Sequence, residues 1–435
     1  MTGVSTPGPF GDNPFGDGVD PFEAMSQMLG QFLSAGASNS STRWDQAKQM
    51  AAGIANDGHS TPNVEPSDRI AFEQLQRVAQ LHLEQVTGLV VSGEIQLVSR
   101  AQWTASTIDA YRPLFEQLAD SFSTMLKSQL EDISSSGLMD LDLPADGMVD
   151  PRQLMDMMSK MIGPMMLSMM AGSMVGQLGT RVFGSFDLPI PRPSDDPVMV
   201  VSENISAFAA DWSLPPDDVR LWVSLHELAS HTVLTLPHVG GVISDLLGAH
   251  ASAFTADMSE LEQRLGDADP FSPEGIDKIQ HLLGSPDLVL GAIRSPAQTA
   301  LLPALDAIIS VIGGYVDWAI DEIGSTLLSD HQHVSEALRR RRVTTDDASR
   351  FCERLFGLEL TQDRFDRGGE FIAGIVQRAG NEALTSLWSS AEALPTPAEI
   401  AAPGVWVARM GLAQDSDLPE LDEPFEIPDF PDLDK

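Results

Sequence analysis

From Met161 to Thr180 twenty residues pass without a charge, between Lys160 and Arg181. A chain carrying such a run must bury it in a protein core or in a bilayer. Four glycines, two serines, Pro164 and Gln177 interrupt it, and methionine is its commonest apolar residue. That composition favours a Met-rich core helix over a membrane span. Gly172 and Gly176, four residues apart, leave one face flat enough for a second helix to approach closely.

Most of the remaining pattern is helical. Apolar residues recur at spacings of three and four from Ser41, from Asp68 and from Arg100 to about Leu130. After Trp212, Leu214-Pro215-Pro216-Asp217-Asp218 starts a helix that runs to about Leu236, where Pro237 stops it. Further helices are expected at 239–265, 273–283, 296–330, 334–342, 344–356 and 366–389. The eleven residues from Asp187 to Pro197 hold four prolines and must be extended, and 198–202 (VMVVS) is the strongest strand candidate. The fold class is mostly α with a small β element. The expected divisions are a disordered segment 1–40 with one short helix at 21–35, a helical region 41–131, a linker 132–150, a core 151–413 and a tail 414–435.

Charge narrows the partners. Lys and Arg number 26 against 63 Asp and Glu, for a net charge of −37. Phosphate backbones would meet a repulsive field, which argues against nucleic acid. The tail alone carries nine acidic side chains and four prolines, the composition of a disordered segment. Arg339–Arg342 form a basic run that is expected to pair with the protein's own acids. Cys352 is the only cysteine, which excludes an internal disulfide and a cysteine zinc cluster. The amino terminus has no basic-then-apolar signal, so a cytoplasmic protein is expected. No phosphate-binding loop or nucleophile elbow is present.

The chemistry-bearing cluster is His226-Glu227-Leu228-Ala229-Ser230-His231. A metallopeptidase helix places two histidines four apart, about 40° from eclipsed, so both reach one zinc, with the intervening Glu over the bound water. Here the second histidine is one residue late, about 140° away on a regular helix. Only a π-bulge would bring His231 round. Ser230 holds the position of the missing ligand, and a hydroxyl is a poor neutral-pH zinc ligand. The pair at His331 and His333 has no acidic or cysteine partner at metal spacing and reads as surface histidines at a helix end.

An ordered set of motifs accompanies this helix. It comprises Trp44-Asp45-Gln46-Ala47, Ser99-Arg100-Ala101-Gln102-Trp103, Gly176-Gln177-Leu178-Gly179, Gly184-Ser185-Phe186-Asp187, Leu214 to Trp222, Gly314-Tyr315-Val316-Asp317 and Ala337 to Arg342. With them the chain resembles the largely actinobacterial zinc-dependent metalloproteases of zincin type, a family with a branch associated with deazaflavin coenzyme biosynthesis. The resemblance implies a zincin-like helical core, with zinc as cofactor. It implies His226 as first ligand and Glu227 as general base, with a third ligand, a Glu, just before the Gly-aromatic-Val-Asp segment. That third position falls on Gly313, and the second falls on Ser230. Two readings stay open. The chain is a non-catalytic relative that binds a protein or peptide partner in the old cleft, or it is an active zinc hydrolase with His226, His231 and Asp317 as rearranged ligands and Glu227 as base.

Overall fold

The computed structural model describes residues 40–412 apart from 60–62, 136–150, 255–293 and 345–346. Its helices are α1 (Ser40–Ala55), α2 (Pro66–Thr87), α3 (Arg100–Ser135), α4 (Pro151–Gly179), α5 (Ser202–Asp211), α6 (Pro216–Leu234) and α7 (Pro237–Ser252). They continue with α8 (Pro296–Leu327), α9 (His331–Val343), α10 (Asp347–Phe356), α11 (Gln362–Ala379), α12 (Pro397–Ile400) and α13 (Pro403–Arg409). Two strands, β1 (Ile95–Leu97) and β2 (Val198–Val200), pair in parallel with Gln96 opposite Met199. The expected helices at 21–35 and 273–283 and the acidic tail lie outside the described residues.

The uncharged run forms α4, packed against α1 and α3. Its glycines set the spacing. A Cβ on Gly172 would stand 2.8 Å from the Ala47 carbonyl oxygen, and one on Gly176 3.0 Å from the Ala51 Cα. Alanines on α1 therefore ride directly over glycines on α4, and dispersion contacts between backbones replace those of larger side chains.

A second glycine crossing joins α8 to α11. A Cβ on Gly368 would fall 1.9 Å from the Ser310 carbonyl oxygen, and one on Gly314 2.3 Å from the Gly368 carbonyl carbon. The helices touch backbone to backbone. Among the described helices α8 is long and apolar enough to cross a membrane, and the bent pair α6–α7 passes the same test of length and composition. In the fold α8 buries Leu305, Ile308, Ile309, Ile312, Val316 and Ile320 and packs on α11, α7 and α6.

Several boundaries differ from expectation for local reasons. Pro237 does not merely end α6. It occupies the first turn of α7, where its missing N–H costs nothing, and the chain turns by 86° there. Helix α3 extends through Ser135, into the expected linker. Only three residues of VMVVS are strand, because Val201 donates to the Phe183 carbonyl and Ser202 opens α5. The expected helix at 366–389 begins earlier and breaks at Gly380, whose φ of 80° suits glycine, before a 3-10 stretch at Asn381–Trp388. Strand β1 was not expected at all. Three residues with one exposed side chain carry too little alternation to read.

Candidate functional site

Helix α6 is buried on nearly all sides from Val219 to Leu234, walled by α2, α8, α9 and β2. Pro216 in its first turn and Asp217 and Asp218 beside it fit the positive end of the helix dipole. Glu227, at its middle, is fully buried. Its Oε2 accepts a hydrogen bond from the Phe186 amide at 3.1 Å, and Oε1 lies 3.3 Å from His226 Nδ1. Burial pushes the Glu227 carboxyl above the usual range, and the His226 contact opposes this. The His226 ring lies flat against Trp222, centroids 5.2 Å apart at 11°.

The segment over Glu227 is Gly184-Ser185-Phe186-Asp187. A Cβ on Gly184 would meet the Glu227 carboxyl at 2.3 Å, so only glycine lets the backbone lie this close. Every neighbour of the segment holds it in place. Trp103 Nε1 donates to the Gly184 carbonyl at 2.8 Å, Arg192 Nε to Ser185 O at 3.1 Å, and the Ser185 amide to Met199 O at 3.0 Å. Asp187 Oδ1 accepts from the amides of Phe183 and Gly184.

Helix α9 closes the site with arginines. Arg341 donates to Asp187 Oδ2 at 2.9 Å and stacks on Phe183. Arg342 grips Asp317 with both terminal nitrogens, at 3.0 and 2.8 Å, and lies 3.5 Å over the Phe365 ring. Burial alone would raise the Asp317 carboxyl, but Arg342, helped by Arg339, holds it below the usual range. Arg339 also pairs with Asp321 and Arg340 with Glu336, so the whole basic run meets the protein's own acids. Between α6, the segment and α9 lies a cavity of about 60 Å³, lined among others by Trp222, His226, Glu227, Asp187, Arg341 and Arg342.

The chain matches the zincin-like metallopeptidase family over residues 43–407. It belongs to that family. No curated protein matches it. Among solved structures, one provisionally described as a hydrolase with a novel fold, from Chloroflexus aurantiacus, is 20% identical with a TM-score of 0.50. The match covers 85% of this chain and 99% of that one, and it speaks for the fold alone.

The residues that the resemblance or the helix spacing offered as ligands lie as follows. Helix α6 is α-helical throughout, without the π-bulge that a shared metal would need. His231 therefore turns away from His226 and packs on Gly93, where a Cβ would come within 2.7 Å of its ring, and near Phe186. Burial lowers its pKa. Asp317 spends both oxygens on Arg342. The proposed set of His226, His231 and Asp317 thus does not come together, and among the described residues no three His, Cys, Asp or Glu side chains form a metal-binding group. At Gly313 a side chain would run into Phe365, 2.7 Å away, and Ser230 is buried with only a hydroxyl to offer. One imidazole and one carboxyl do not fit zinc, which needs three protein donors.

His331 and His333 begin α9 rather than end a helix, and each faces its own acid, Asp321 and Asp330. Sequence reasoning missed the place of Trp222 and Phe365 at the site and the packing of Gly184–Asp187 over Glu227. A signal existed for Trp222, which sits one turn before His226 and so shares its face. None existed for Phe365, which arrives from another helix.

Glu227→Gln is expected to raise the melting temperature at neutral pH. The folded carboxyl holds its proton to a higher pH than the unfolded one. Below the unfolded value of 4.5 the two proteins should therefore match, and the wild type should fall behind as pH rises toward the folded pKa. Calorimetry from pH 4 to 8 checks this, and a constant offset would refute it.

Proposed function

We propose that this zincin-like protein does not hydrolyse peptides but binds a protein or peptide partner in the former active-site cleft. The observation that carries the reading is Phe365 packed on Gly313, where the family resemblance puts the third ligand. Phe365 fills the space a Gly313 side chain would take, and Arg342 on that ring brings a permanent cation to the cavity that His226 also lines. The net charge of −37 keeps nucleic acid off the list of partners. Placement among the largely actinobacterial members of the family, which include a deazaflavin-associated branch, rests on the ordered motifs from Trp44 to Arg342.

A second reading, an active hydrolase, draws on one observation. Glu227 is a buried carboxyl with a raised pKa beside an imidazole at a cavity, an arrangement common at catalytic sites. Elemental analysis of protein purified without a metal-binding tag separates the two. Far less than one zinc per chain, with no uptake on adding zinc, is expected. One tightly held zinc, with peptide cleavage that Glu227→Ala abolishes, would overturn the proposal.

A further inference from the structure

Strand β1 has a strand neighbour on one side only. That neighbour is β2, and β2 is bridged in turn to Gly184 of the segment over Glu227. The outer edge of β1 therefore lies across β2 from the cleft. Val198 donates to the Glu94 carbonyl at 3.1 Å and Val98 to the Val200 carbonyl at 2.9 Å. Backbone groups alternate in direction along a parallel strand, so Glu94, Gln96 and Val98 face β2, while Ile95 and Leu97 turn their amides and carbonyls to the outer edge.

The Gln76 side chain takes the first place on that edge. Its Oε1 accepts from the Ile95 amide at 3.0 Å and its Nε2 donates to the Gly93 carbonyl at 3.4 Å. A carboxamide set this way stands in for one peptide unit of a third, parallel strand. The next place along consists of the Ile95 carbonyl and the Leu97 amide, and neither has a hydrogen-bond partner among the described residues. Unpaired backbone groups on a sheet edge are a template for another strand. Gln76, Ile95 and Leu97 line a groove of about 400 Å³ together with Phe72, Glu73 and Glu94. Gln76 reaches the Ile95 amide from the wall of this groove, so the groove runs beside the outer edge of β1.

Charge selects what the groove takes. Glu73 and Glu94 are exposed and form no ion pair among the described residues, and Arg69 is the single cation of the lining. A chain of net charge −37 attracts cations and repels a second copy of itself. We infer that the outer edge of β1 takes up an extended, lysine- or arginine-bearing segment of a partner protein as a third, parallel strand. One residue of that segment donates its N–H to the Ile95 carbonyl and accepts from the Leu97 amide, repeating one step further on what Gln76 does. The groove lies outside the cleft, so zinc content and peptide cleavage do not bear on it.

The test titrates the full chain with acetyl-Lys-Val-Thr-Val-Lys-amide at fixed ionic strength, followed by calorimetry and by hydrogen exchange. Saturable binding is expected, with slower exchange of the Leu97 amide in the complex. Only alternate N–H groups of an added strand face the sheet. N-methylation of the peptide at threonine, or at both valines, should therefore abolish binding in one case and spare it in the other. Glu73→Lys with Glu94→Lys, both at exposed positions, should weaken the lysine peptide by about tenfold. No saturable binding, equal tolerance of both methylation patterns, or equal affinity for the peptide with glutamates in place of lysines would overturn the inference. A chain that sediments as a dimer and exchanges Leu97 faster on dilution would overturn it too, by giving the edge to a second copy.

Discussion

Replacing Arg342 with Met should cost about 3–5 kcal/mol of stability, read from urea unfolding at neutral pH, because it strands a buried carboxylate. Asp317 has 14% of its side chain exposed and directs both oxygens at Arg342, with Arg339 more distant at 3.9 Å. Most of the loss should return in Arg342→Met with Asp317→Asn, since the second change removes the stranded charge. The deficit should also depend on pH. The Asp317 pKa is depressed in the fold, so its ion-pair contribution is present above the usual carboxylate range and fades as pH falls through the folded value. The single variant should therefore approach the wild type in acid. A double variant no better than the single one would show that the stacking on Phe365, not the ion pair, is what Arg342 supplies.

Gly368→Ala should be comparably damaging, at about 3 kcal/mol or more, because the added methyl meets backbone rather than a side chain that can turn aside. Ser310 O would lie 1.9 Å from it, and the Gly314 amide nitrogen 3.2 Å. To admit the methyl, α8 and α11 must separate, which parts Gly313 from Phe365. Gly369→Ala is the control, since a Cβ there meets nothing within 4 Å. Guanidinium unfolding of the two variants checks the contrast, and equal stability would mean that the crossing is looser than described.

The same crossing shows what the sequence could and could not convey. Met161–Thr180 was readable as a core helix because its glycines and methionines report on packing within one segment. The small pair Gly172 and Gly176 likewise announced a close neighbour. The family resemblance made Gly313 a missing carboxylate, and only the fold shows Phe365 arriving from α11 to fill the place. Helix geometry alone placed His231 on the far side of α6, and the unbroken helix agrees with that arithmetic. The arginine run was expected to meet the protein's own acids, but its particular partners, Asp187 and Asp317, are separated from it by long stretches of chain. Strand β1 was invisible because it is three residues long and owes its place to β2.

The walls of the cavity are drawn from the end of α4, the segment over Glu227, α6, α9, α10 and the approach to α11. No stretch of neighbouring residues contains the site, so forming it requires loop closures across much of the chain, each with an entropic cost that local contacts do not repay. A fragment cut anywhere between the end of α4 and the approach to α11 therefore lacks part of the lining. Whatever binds there reads residues from the end of α4 to the approach to α11 at once, and its binding is a report that these distant stretches have come together.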